Sequence, residues 1–209
     1  MLFHFVNFEA AEGPPALYFS KCMIINDLHR EDNYQEYLRL RNDPNYTDVI
    51  FDDVSGGVSA VHRNHQFDSQ IGAFGIKKGD YEKISVNILR ERGHAVILES
   101  ETAPDGIMSP DGFIDGIIME IKAVEGQGKW AIKDKLHIAT RQGASCVILY
   151  FHDKKLYSYE RIEDGWFKYL NDQASQKYNH SIERVLCIVG EDIQAHEEKY
   201  VFRRRYSVA

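Results

Sequence analysis

Residues 109–123 read SPDGFIDGIIMEIKA, and the fold follows from how this stretch pairs with itself. Asp115-Gly116 is a favoured two-residue hairpin turn with strand formers on both sides. With the turn there, Ile114 faces Ile117, Phe113 faces Ile118 and Asp111 faces Glu120. Strand alternation adds Lys122 to the face of Asp111 and Glu120. The opposite face collects Ile114, Ile117, Met119, Ile121 and Ala123, all apolar, and is the face expected in the core. The charges are thus sorted by parity. They either lie on a wet face or do chemistry, because an unpaired buried charge is costly.

Upstream of the hairpin, DYEKISVNILRERG has apolar Ile84, Ile88 and Leu89 at helical spacing, with Asp80 as the expected N-cap and Gly93 as terminator. HAVILES follows as a strand. Downstream, GKWAIKDKLHIATRQG predicts a second helix that buries Ile132, Leu136 and Ala139, and CVILYF a short, central strand. Helix, strand, hairpin, helix and strand make an α/β core. An amphipathic stretch, WFKYLNDQASQKY, and strands RVLCIVG and YVFRRRYSV extend it. At the front, LFHFVNF and ALYFSKCMII read as strand-like pieces. REDNYQEYLRLR reads as a helix ended by Asn42-Asp43-Pro44, and FDDVSGGVSAVHRNHQFD as irregular. No internal repeat or low-complexity segment interrupts the chain.

The 209 residues are 44% hydrophobic, enough for one compact domain with an added subdomain. No apolar run is long enough to span a membrane. The start has no basic segment and carries Glu9 and Glu12, unlike a signal peptide. Cys146 and Cys187 lie in apolar runs as expected buried free thiols, so the expected compartment is the cytoplasm. A net charge of −7 argues against bulk nonspecific binding to nucleic acid, although KWAIKDKLHIATR and KYVFRRRYSVA are locally basic.

Two carboxylates side by side repel each other unless something positive sits between them. Hard oxygen ligands suit Mg²⁺ or Mn²⁺ in that place. Lys122 beside the pair could orient a water or neutralise charge in a transition state, which makes a phosphodiester-cleaving arrangement. A surface hairpin with Glu and Lys on its wet face would need no function. Glu-x-Lys recurs at Glu197-Glu198-Lys199, a related pattern at Asp153-Lys154-Lys155, and Pro-Asp-Gly at residues 104–106.

In this setting the residues resemble the PD-(D/E)XK nuclease superfamily, whose pattern reads here as Pro110-Asp111, eight residues, then Glu120-Ile121-Lys122. The resemblance covers roughly residues 80–152. It implies a restriction-endonuclease-like αβββαβ core, a central mixed sheet flanked by helices. Residues 76–209 would form the nuclease domain and residues 1–75 an N-terminal extension. It also implies Asp111, Glu120 and the Ile121 main-chain carbonyl as metal ligands, with Lys122 as the catalytic lysine. Glu82 matches the place of an additional ligand on the first core helix, and is equally an ordinary first-turn charge favoured by the helix dipole. Gln142 matches a family glutamine on the second. The compact hairpin is most similar to toxin nuclease domains of contact-dependent growth-inhibition systems, which act on tRNA and have relatives fused to phage head proteins. The implied activity is hydrolysis of tRNA or other RNA first and DNA second, with an immunity protein as a partner. The alternatives are a non-enzymatic phage-associated binding protein and a hydrolase of small phosphorylated substrates.

Lys129, Lys133, His137 and Arg141 recur at i, i+4 along the second helix with Trp130 on the same side. Such a stripe either follows a phosphate backbone and stacks a base, or is a solvated face. Arg203-Arg204-Arg205 either holds phosphate or protects an edge strand. His62 and His65 are loop histidines or accessory acid–base groups; no further Cys or His stands near them at zinc-ligand spacing. No Walker loop, G-x-G-x-x-G or G-x-S-x-G motif occurs.

Overall fold

The structure is a computed structural model that describes residues 16–100, 109–176, 182–190 and 192–197. Helix α1 (Ala16–Asn42) leads into strands β1 (Tyr46–Phe51) and β2 (Val58–His62). Helix α2 (Lys78–Glu91) and strand β3 (Ala95–Leu98) precede the hairpin of β4 (Gly112–Ile114) and β5 (Ile117–Ala123). Helix α3 (Ala131–Arg141), strand β6 (Cys146–Phe151), helix α4 (Tyr159–Gln176) and strands β7 (Arg184–Val189) and β8 (Asp192–Glu197) follow. The eight described strands form one mixed sheet in which spatial order equals chain order. Pairs β2/β3, β5/β6 and β6/β7 are parallel and the others antiparallel. The chain is therefore α/β, as expected.

Every residue of β6 is buried, so its alternation shows what covers each side of the sheet. Val147, Leu149 and Phe151 join Ile132 and Leu136 of α3 and Ile162, Trp166 and Tyr169 of α4. Cys146, Ile148 and Tyr150 join Tyr81 and Leu89 of α2, together with Ile114, Met119 and Ile121 of the hairpin. Gly165 lets the two helices meet, since a Cβ there would lie 2.5 Å from that of Ile132. On the flank, Leu40 of α1 packs on Val58 and Ala60. Cys146 and Cys187 are buried free thiols. No described helix is long and apolar enough to cross a membrane.

The hairpin turns where the residues require. Asp115 and Gly116 have φ of 50° and 77°, positive at both central positions as the right-handed strand twist favours. Gly112↔Met119, Phe113↔Ile118 and Ile114↔Ile117 pair as expected. Gly112 admits β3, because a Cβ there would stand 1.9 Å from the Ile97 carbonyl oxygen.

Three expectations are corrected. The stretch ALYFSKCMII lies inside α1 rather than in a strand. The segment read as irregular contains β2 and the end of β1. Asp80 is not the N-cap of α2: the helix starts after Lys77, and its first amides at Lys78 and Gly79 donate to the carbonyls of Gln70 and Asp68 at 2.9 Å. Loop carbonyls thus replace a capping side chain. Residues 166–176 of the amphipathic stretch lie in helix α4, which begins at Tyr159, as expected of an extension to the core. LFHFVNF, the tail strand with Arg203–Arg205, and the second Pro-Asp-Gly lie outside the described residues.

Candidate active site

Strand pairing fixed by the Asp115-Gly116 turn carries the two chains of the hairpin to its open end, where Asp111 and Glu120 meet. The Asp111 amide donates to Glu120 Oε2 at 3.0 Å, and the Ile121 amide donates back to Asp111 Oδ2 at 2.6 Å. The Lys122 ammonium pairs with Glu120 Oε1. This is not a wet face: Asp111 is 7% exposed and Glu120 fully buried, while the Lys122 side chain keeps 23% of its exposure. The link seen at Ile121 is through its N–H.

Burial dominates the electrostatics. It pushes the Asp111 carboxyl up, against the pull of Lys122. Glu120 rises to about 8, first by burial and then by the Asp111 charge, with Lys122 opposing both. Ionising both carboxyls together is costly in so dry a place.

Behind it lies a second layer. His65 is buried, with Nδ1 2.9 Å from the Glu99 carbonyl and Nε2 3.2 Å from Glu82 Oε2. Both partners only accept hydrogen bonds, so the arrangement is satisfied by an imidazolium, whose charge also lowers the Asp111 carboxyl. Glu82 of α2 is therefore held on His65. Tyr46 of β1 donates to Glu99 Oε1 at 2.6 Å, so residues ahead of α2 build this layer. His62 does not join it; its Nδ1 accepts from the Asn64 amide and its ring packs against Tyr46.

Helix α3 has two working sides. Gln142, just past its end, donates from Nε2 to the Ser109 carbonyl at 3.2 Å, while its buried Oε1 has no partner among the described residues. Lys135 lies two turns earlier on the same side. Burial lowers its ammonium first and the charge of Lys122 lowers it further. Sequence reading missed Lys135, although its seven-residue spacing from Gln142 was a usable signal. The stripe of Lys129, Lys133 and His137 belongs to the other side. Lys133 and His137 converge on Asp172 of α4 at 2.9 and 3.2 Å. Trp130, 46% exposed, is surrounded by the ammonium groups of Lys129, Lys133 and Lys168 at 4.7–4.9 Å from its ring centroid. Arg141 is exposed at the helix end. Asp153-Lys154-Lys155, the lookalike of Glu-x-Lys, is a single tight turn in which Asp153 accepts from the Lys155 amide.

Among the described residues, no three His, Cys, Asp or Glu side chains gather closely enough to hold an ion by themselves. The donor set at Asp111 and Glu120 is nonetheless of one chemical kind, all oxygen and mutually repelling. That suits a hard divalent cation with water or main-chain oxygen completing its shell. The chain matches no family model, no curated protein and no solved structure.

Proposed function

We propose that the protein is a metal-dependent nuclease that hydrolyses phosphodiester bonds, with RNA, tRNA in particular, as the first substrate and DNA as the second. One observation carries the reading: two buried carboxylates brought face to face by a turn-locked hairpin, with a lysine on one of them. The succession α2-β3-β4-β5-α3-β6 supports it, because it is the element order of a restriction-endonuclease-like core.

Asp111 and Glu120 would hold Mg²⁺ or Mn²⁺, with the Ile121 carbonyl as a further oxygen donor, while Glu82 stays on His65. When bound, such an ion supplies Lewis-acid charge at a phosphoryl oxygen and lowers the pKa of water. Lys122 spends one N–H on Glu120 and has two more for substrate oxygens, where its charge stabilises the negative charge gathering on phosphorus. Lys135 adds positive charge behind it. His65 works against the burial of the Asp111 carboxyl and, through Glu82, ties α2 to the site. Lys129, Trp130, Lys133, Lys168 and Arg141 offer a basic, aromatic surface for the nucleic-acid backbone. A toxin-like role, an immunity partner and action in the cytoplasm extend this reading.

The test is cleavage of total tRNA and of plasmid DNA with Mg²⁺, Mn²⁺ or EDTA, for the parent chain and for Asp111→Ala, Glu120→Ala and Lys122→Ala. Metal-dependent cleavage that all three substitutions abolish is the expected result; folded protein that cuts neither substrate overturns it. A second reading rests on the reciprocal amide bonds: Asp111 and Glu120 would only clamp the base of the hairpin in a non-enzymatic binding protein. It predicts lost stability in the carboxylate variants and no response to metal.

A further inference from the structure

The carboxyl ends of β5 and β6 carry a second feature that the carboxylate site does not use. Residues 72–75, Gly-Ala-Phe-Gly, form a tight turn in which the Gly75 amide donates to the Gly72 carbonyl and the Gly72 amide to that of Ile76. Glu125, three residues beyond Lys122, fastens this turn to the end of β5. Its Oε1 accepts from the Ala73 amide at 2.8 Å and stands 3.5 Å from the Tyr81 hydroxyl. Gly72 is needed at the fastening point, since a Cβ there would lie 2.0 Å from Glu125 Oε1. The turn presents Phe74, 37% exposed, against the exposed ring of His152 at 5.2 Å, over a floor of Tyr81 and Tyr150. A large apolar ring held out to solvent by a bonded turn offers an open aromatic face.

Charge ties this platform to the site. The Lys135 ammonium lies within electrostatic reach of Lys122, Glu125 and Lys78. Glu125 itself is occupied by its amide and hydroxyl donors. Lys78 is partly engaged by Gln70 at 2.8 Å and by Asp68 at 3.8 Å. The end of β5 is cationic at Lys122 and aromatic just past it, where Tyr150 of the floor pairs with Ala123. It offers a place for a phosphate and then for the flat face of its base.

Resting on the nuclease reading, we propose that Phe74 and His152 form a base-stacking subsite for an unpaired nucleotide next to the scissile phosphate, with Lys135 on its phosphate. The substrate is then single-stranded at that position, because a paired base cannot leave its stack to lie on Phe74 without unpairing. Aromatic stacking of this kind is tolerant of base identity and strong enough to measure.

The experiment is fluorescence anisotropy of the whole chain in EDTA with an end-labelled single strand of about eight nucleotides. It is run as RNA, as DNA, as the matching duplex, and with the central base removed. Expected is preference for the single strand, with Phe74→Ala raising Kd about tenfold and Phe74→Trp restoring it. Phe74→Ala should make no difference on the abasic strand, and Lys135→Gln should lower the salt slope by about one. Tighter binding of the RNA or of the DNA strand identifies the natural chemistry. Equal binding by Phe74→Ala and parent, or a duplex held as well as the single strand, overturns the proposal. Binding through Phe74 without cleavage would remove the nuclease reading and leave the platform. Cleavage of short single strands indifferent to Phe74→Ala would do the reverse.

Discussion

The β4–β5 hairpin carries carboxylates at both ends, and the two ends treat them in opposite ways. At the turn, burial pushes the Asp115 carboxyl up, but the His94 hydrogen bond, the His94 charge and the Ala95 amide pull it below its usual range. Its oxygens are spent on His94 Nδ1 at 2.7 Å and on the Ala95 amide at 2.9 Å, which tie the turn to β3. At the open end, Asp111 and Glu120 face each other, and both carboxyls are raised. A carboxylate matched with donors builds the fold, whereas a carboxylate matched with another carboxylate holds repulsion that a cation relieves. One short element thus contains a structural acid and a pair set aside for chemistry.

The largest expected effect lies at the open end. Lys122→Ala should lower single-turnover cleavage by about 10²–10³-fold, the range for removing one donor to transition-state charge, with little change in circular dichroism. Next comes pH. Glu120 has a folded pKa near 8, above its unfolded value, so the folded chain binds more protons between those values. Without metal, stability should therefore fall as pH rises from about 4.5 towards 8, by on the order of a few kcal/mol. Thermal melts should show Glu120→Gln flattening this slope and raising Tm at pH 8, and Mg²⁺ raising Tm only when Glu120 and Asp111 are both present. An unchanged slope in Glu120→Gln would dissolve the contrast between the ends. The turn end titrates the other way. Asp115 is lowered, so its contribution is present above the unfolded carboxylate pKa and lost as pH falls through the folded one. Asp115→Ala should cost about 1–2 kcal/mol near neutrality, at the low side for charge-assisted bonds because its side chain is 34% exposed. The smallest effect is Gly116→Ala, about 1 kcal/mol by urea titration, from forcing a side chain into positive φ.

The hairpin was legible because two signals agreed on it, the Asp-Gly turn and strict alternation around it. Together they placed Asp111 against Glu120 to the residue. The α3 stripe shows what periodicity leaves out. Its spacing was read correctly, but only the fold brings Asp172 of α4 onto Lys133 and His137 and leaves Lys135 and Gln142 facing the site. Strands β1 and β2 escaped for local reasons. The first has a register shift between Thr47 and Ile50 with Asp48 at φ 49° and turns Ile50 out to solvent, so its residue types do not alternate, and the second is short and buried on both faces at its start. In ALYFSKCMII, clustered apolar residues imitate a strand, and only continuity with the next helical segment makes them helix. The buried His65 sat among ordinary loop residues, and its link to Glu82 spans 17 positions that no spacing rule connects.

The sheet's order, β1 through β8 without a strand ever inserting between two others, bears on how the molecule assembles. Each strand's first partner is the one synthesised just before it, so loop-closure costs stay small and pairing can advance along the chain as it emerges. The carboxylate pair comes together midway through that progression, in a hairpin of local contacts. The elements that cover the sheet beyond it, α3, β6 and α4, come later in the chain. Before those elements dock, Asp111 and Glu120 would be hydrated and their repulsion screened, so a stability cost at this pair is expected to fall on the later docking.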